Sequence, residues 1–174
     1  MKPSFKVGII TGIAVGLFAI TCFSIFNWLN TRFGWGLQPA TIRGLSGLLT
    51  IVIQGTGIYF SMKGTKAVQN GRLTYRQALK AGFTVAIITA LITAFFGLIY
   101  CTVINPGYAD YMINEARKAM LDAGKSAKQI ADGLVGVRRE FSIGGQVMEA
   151  LIAQTVVGTI ISLIMSFFMK SKRS

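Results

Sequence analysis

Residues 7–28, 44–62, 81–104 and 147–169 are four runs in which apolar positions are almost unbroken. Inside lipid a backbone N–H can bond only within its own segment, so a run of roughly 20 apolar residues predicts a helix crossing the roughly 30 Å hydrocarbon layer. None of the four runs holds Lys, Arg or Asp, and only the last holds a Glu. A soluble domain of this size buries one helix that is apolar on every side, not four. The pattern between the third and fourth runs differs, because residues 105–146 carry eleven charges and cannot span. The predicted fold is all-α: an integral membrane four-helix bundle with an amphipathic helical loop between spans three and four, forming one domain over residues 1–174.

In that loop Asn105-Pro106-Gly107 stops the third span. Tyr108, Tyr111, Met112, Ala119 and Met120 then recur at helical spacing, and Gly124 suits a C-terminal cap. Ser126 followed by Gln129 has the form of a capping box, ahead of Ile130, Leu134, Val137 and Phe141 on one face. Two uses fit such a pair of helices. It packs back on the ends of its own spans, or it forms an extracytoplasmic platform on the bilayer or against a partner.

Charge sets the direction. Lys and Arg are retained on the cytoplasmic side, and acids count little. With the N-terminus inside, the cytoplasmic segments hold Lys2 and Lys6, then Lys63, Lys66, Arg72, Arg76 and Lys80 between spans two and three, then Lys170, Lys172 and Arg173. No acid accompanies them. The opposite side carries eight bases and all six acids. The five bases at 63–80 therefore read as a cytoplasmic hairpin loop held to anionic headgroups, at about 1 kcal/mol per base near the surface. Trp28, Trp35 and Tyr100 fall at the outer interface and Tyr59 at the inner one, as an aromatic belt requires. The opening "MKPSFK" resembles a signal-peptide n-region, but the following apolar run exceeds a signal h-region and "TCFSIFNW" offers no small-residue cleavage site, so retention is expected.

Composition removes several functions. The net charge of +12 sits between and beside apolar runs rather than on one soluble face, so no nucleic acid partner is expected. The chain has no histidine, no nucleophile beside a base, no phosphate-binding glycine loop and no metal spacing. No enzyme, cofactor or metal site is expected. Cys22 and Cys101 lie near the outer ends of their spans and are expected as free thiols, although a bond between them is geometrically conceivable.

The remaining candidates are polar groups inside spans. At 1.5 Å per residue Gln54 lies about 15 Å deep and Gln154 about 10 Å deep, with Thr93 near the same level. They either bond one another between helices or line a polar path for a small solute. Arg43 and Glu149 sit at comparable outer levels, and an interfacial ion pair between them is expected. Gly8, Gly12 and Gly16 on span one, and Gly82, Ala86, Ala90 and Ala94 on span three, recur every four residues and predict close helix contact, within one chain or in a homo-oligomer.

The stretch "GIYFSMKGTKAVQNGRLTYRQALKAGF" at 57–83 resembles a family of small four-span bacterial membrane proteins, mostly of Bacteroidota, classed as a domain of unknown function. Thr74, Tyr75, Ala78, Leu79, Lys80 and Gly82 carry the likeness, with "VINPGYADYMINEA" and "GKSAKQIADGL" in the loop, which is less acidic here than such relatives lead one to expect. The resemblance implies a four-helix inner-membrane protein and supplies no activity. A non-enzymatic accessory or scaffold subunit of a membrane complex is expected, the alternative being a small oligomeric transporter or channel. Reporter fusions after residues 37, 70, 125 and 174 check the topology. The first and third are expected outside, the second and fourth inside.

Overall fold

The computed structural model describes residues 2–171. Six α-helices make up the fold: α1 (Pro3–Phe33), α2 (Pro39–Val68), α3 (Tyr75–Ile99), α4 (Tyr108–Asp122), α5 (Ala127–Phe141) and α6 (Ile143–Met169), with one π-helical turn, Tyr100–Ile104, closing α3. Helices α1, α2, α3 and α6 are long and apolar enough to cross a membrane. The chain is thus an all-α integral membrane bundle. Lys172 and Arg173, counted above among the cytoplasmic bases, lie outside the described residues.

Each membrane helix outruns its apolar segment. Polarity marks where lipid ends, but the backbone goes on bonding to itself until a cap stops it. Helix α1 continues to Phe33 and ends at Gly34, whose positive φ of 64° favours glycine and whose N–H bonds Asn30 O at 2.9 Å. The Asn30 side chain then clasps the turn, accepting from Leu37 N at 2.9 Å and donating to Leu37 O at 2.8 Å. Pro39 opens α2, where a missing N–H costs nothing.

The basic segment at 63–80 needs correction. Lys63 and Lys66 stand on the last turns of α2, Arg76 and Lys80 on the first turns of α3, and only Arg72 lies in the turn. Thr74 makes this a short connection: its Oγ1 accepts from Gln77 N while Gln77 Oε1 accepts from Thr74 N, a reciprocal capping box. Ser171 ties the end of α6 to the same turn, donating N–H to Leu73 O at 2.8 Å and accepting from Leu73 N at 3.0 Å. This end, with Lys2, Lys6 and Lys170, is the basic end; α4 and α5 form a hairpin at the other, the hairpin end.

Helix α3 packs against α1 and α6, α2 packs against α1, and α2 meets α6 more lightly. The small residues decide these contacts. A Cβ on Gly12 would lie 2.9 Å from Ile92 of α3, and one on Gly16 would lie 2.6 Å from the Phe96 ring. On the other face of α3, Ala86 lies where a Gly158 Cβ would come within 2.5 Å, and Gly82 abuts Ser162 and Met62. The stripes thus serve contact within the chain. Toward the basic end Ile58, Met62, Leu73, Ala78, Ala81 and Val85 fill the core completely.

Gly158→Ala places a methyl against the Gln54 amide and against Ala86, whose Cβ is fixed to the α3 backbone, and is expected to destabilise by about 1–3 kcal/mol. Gly47→Ala meets nothing within 4 Å and is expected to leave stability unchanged or slightly raised. Thermal unfolding of both variants in mild detergent checks the contrast.

Candidate functional site

In the hairpin-end half the same four helices draw apart around a cavity of about 450 Å³. Its lining comes from Gly16 to Phe23 of α1, Arg43 to Ile51 of α2, Thr93 to Cys101 of α3 and the π turn, and Gln146 to Val157 of α6, with Tyr108 over the mouth. Glycine works in the opposite sense here. Gly44, Gly47 and Gly97 line the space with nothing within 4 Å of a Cβ built on them. Most of the wall is apolar, including Ala19, Ile20, Phe23, Leu48, Phe96 and Ala153.

The mouth is charged and aromatic. Arg43 Nη2 donates to Glu149 Oε2, so the expected pair is in contact, and Arg43 Nη1 also donates to Glu140 Oε1 at 3.3 Å. The guanidinium lies 5.1 Å from the centroid of Phe141, a cation–π contact. Glu140 and Phe141 reach this place because a single residue, Ser142, joins α5 to α6. Its Oγ donates to Arg139 O at 2.7 Å and accepts from Gly145 N at 3.0 Å, holding a tight corner. One guanidinium therefore fastens α2 to both α5 and α6.

Tyr108 packs edge-on against Phe23, Tyr100 and Phe141, with ring centroids 5.5, 5.4 and 6.0 Å apart. Burial pushes its phenol up to about 12, against the opposing pull of Arg43. Tyr100, assigned from sequence to the aromatic belt, turns instead into this cluster. The π turn that follows it, closed by Asn105 N–H to Tyr100 O at 2.7 Å, widens the helix where Tyr100 and Cys101 border the cavity. Tyr111 Oη donates to Asn27 Oδ1 at 3.1 Å and, with Met112 buried, seats the root of the hairpin on α1.

The floor holds the intramembrane polar residues. Gln54 Nε2 donates to the backbone carbonyl of Gln154 at 2.9 Å, not to its side chain. Thr93 and Gln154 border the cavity, but Thr93 joins no network: its Oγ1, like Gln54 Oε1 and Thr89 Oγ1, is buried without a partner among the described residues. The anticipated three-way bonding does not form: the Gln54 amide goes to the Gln154 backbone, and Thr93 is left outside it. Cys22 and Cys101 are both free, and Ser46 Oγ donates to Cys22 Sγ at 3.4 Å. The five bases of the basic end are solvent-facing or partly so, with no ion pair among the described residues. Glu140 was not foreseen, since its position in the loop gave no sign that a one-residue corner returns it to Arg43.

Fold and site together define a four-span helical membrane protein with a cavity in one half. The chain belongs to the family described as "Protein of unknown function (DUF4199)", whose model matches residues 6–171. No curated protein and no solved structure matches it.

Arg43→Gln removes both ion pairs and the stacking on Phe141. With side chains one-quarter to one-half exposed, it is expected to cost about 1 kcal/mol, and Glu149→Gln about half of that because Glu140 still holds the guanidinium. Thermal unfolding at low and high salt checks this, with the gap between wild type and Arg43→Gln narrowing at high salt.

Proposed function

We propose that the protein is a non-enzymatic accessory subunit of the bacterial inner membrane that holds a small, mainly apolar ligand in its hairpin-end cavity. The observation that carries this reading is the cavity, whose volume of about 450 Å³ lies in the range of sites that bury a drug-sized ligand. Its lining suits an apolar body, with a polar group at the level of Thr93 and Gln154 and a polar head left beside Arg43 and Glu149. The non-enzymatic part is supported by a sequence without histidine or a nucleophile beside a base.

The proposed orientation puts the hairpin outside and the basic end, with both termini, in the cytoplasm. Eight described bases and no acid gather at that end, which favours the cytoplasmic face and its anionic lipids. A second reading, transport of a small solute by an oligomer, draws support from the polar layer of Gln54, Thr89 and Thr93 at and beneath the floor. It requires the packed seam of the basic half to part, and no span has an internal proline at which to break.

Cys101 borders the cavity and serves as its reporter. In a Cys22→Ser background, a small membrane-impermeant methanethiosulfonate is expected to modify Cys101 in intact cells. Gly97→Leu puts a bulky side chain into the cavity from a position where a Cβ meets nothing within 4 Å, and is expected to slow that modification by an order of magnitude. It should also remove a bound small-molecule mass seen by native mass spectrometry of the wild type. Equal labelling of both proteins, with no bound mass on either, sinks the reading.

A further inference from the structure

The hairpin carries a second concavity, separate from the membrane cavity. One face of α4 and one face of α5 converge on a groove of about 740 Å³, whose apolar floor includes Leu121, Leu134 and Val135 and whose rim carries Arg117, Lys125 and Arg138. Leu121 is 56% exposed and Val135 69% exposed, so the hairpin leaves apolar surface open although its root is packed on the bundle. None of the three rim bases forms an ion pair among the described residues. None of the hairpin's five acids lines the groove: Glu115 holds Lys118 at 2.6 Å, Glu140 is taken by Arg43, and Asp110, Asp122 and Asp132 form no salt bridge among the described residues.

We propose that this groove docks an acidic amphipathic helix of a partner protein on the hairpin side of the membrane. Two antiparallel helices with an open furrow lack the third helix that would cover their apolar faces, and such a helix buries an apolar stripe at helical spacing. Residues 113–122 of α4 span about 14 Å at 1.5 Å per residue, room for a partner helix of about ten residues. Charge selects the sign: acids flanking the stripe meet three bases that lack ion-pair partners among the described residues, whereas a second copy would set the same basic rim against itself. A flat lipid surface fits a furrow less well than a ridge of side chains does. The inference is independent of what fills the membrane cavity.

The test uses full-length protein in nanodiscs of uncharged phosphatidylcholine and a fluorescein-labelled helical peptide of Glu and Leu, apolar on one face. Anisotropy is expected to show saturable binding that weakens by about tenfold or more in Arg117→Glu/Arg138→Glu. Lys128→Glu/Arg139→Glu, which changes the hairpin charge equally but lies off the groove, is expected to have little effect. Circular dichroism and thermal unfolding confirm that both variants stay folded. Equal weakening by the two pairs, equal binding of a Lys and Leu peptide, or no binding of the acidic peptide overturns the proposal. So does concentration-dependent self-association abolished by Arg117→Glu/Arg138→Glu, or recruitment of anionic vesicles that the acidic peptide fails to displace.

Discussion

In lipid the hydrophobic effect does not draw one helix to another, so the bundle depends on how closely its backbones can approach. That approach is granted along a limited length. Gly8, Gly12 and Gly16 admit Ile88, Ile92 and Phe96 of α3 to the surface of α1, while Gly82 and Gly158 let the opposite face of α3 lie against α6. Helix α3 is thereby gripped on two sides from the basic end to about mid-depth. The close contacts give many small dispersion gains, which in this solvent replace the area term that holds soluble cores together.

Where the grip ends, the cavity begins. The glycines of the hairpin half, Gly44, Gly47 and Gly97, face open space, so the same residue type brings backbones together at one end and leaves room at the other. A bundle splayed in this way needs another tie across its wide end. Arg43 supplies it, reaching Glu149 on α6 and Glu140 on α5, while Tyr108 wedges the hairpin root against Phe23, Tyr100 and Phe141. These ties sit at the edge of the lipid, where charged groups are affordable, and the deep half is left to small apolar contacts.

The four spans were legible because lipid imposes a single rule, backbone self-satisfaction, that leaves long apolar runs in the sequence. The Arg43 and Glu149 pairing was legible from depth alone, and the Ser126 and Gln129 box from local chemistry. The identical logic at Thr74 and Gln77 went unread because the charges around it suggested a loop, when four of the five bases stand on helix ends. The cavity had no local signature. Gly97 and Gly16 look alike in sequence, and only the packing shows that Gly16 lies against Phe96 while Gly97 faces open space. Nor did the sequence show that the Gln54 amide would bond the Gln154 backbone rather than its side chain and leave Thr93 alone.

The unpartnered oxygens give the two halves their boundary. Gln54 Oε1 and Thr89 Oγ1 lie in residues with no exposed surface, and Thr93 Oγ1 is equally shut off from solvent although its residue borders the cavity. Leaving a polar atom buried without a bond costs about 1–3 kcal/mol, more than a Gln to backbone bond between membrane helices returns. A chain selected for packing alone would fill this layer with Val or Ala, as it does at Val85 and Ala86 one to two turns nearer the basic end. Under the proposed reading, a ligand that enters the cavity from above and bonds one of these groups would offset that cost. Of the three residues only Thr93 borders the cavity, so its side chain is the one that such a ligand would reach by a rotation of the hydroxyl, and the packed seam below it would stop the ligand there.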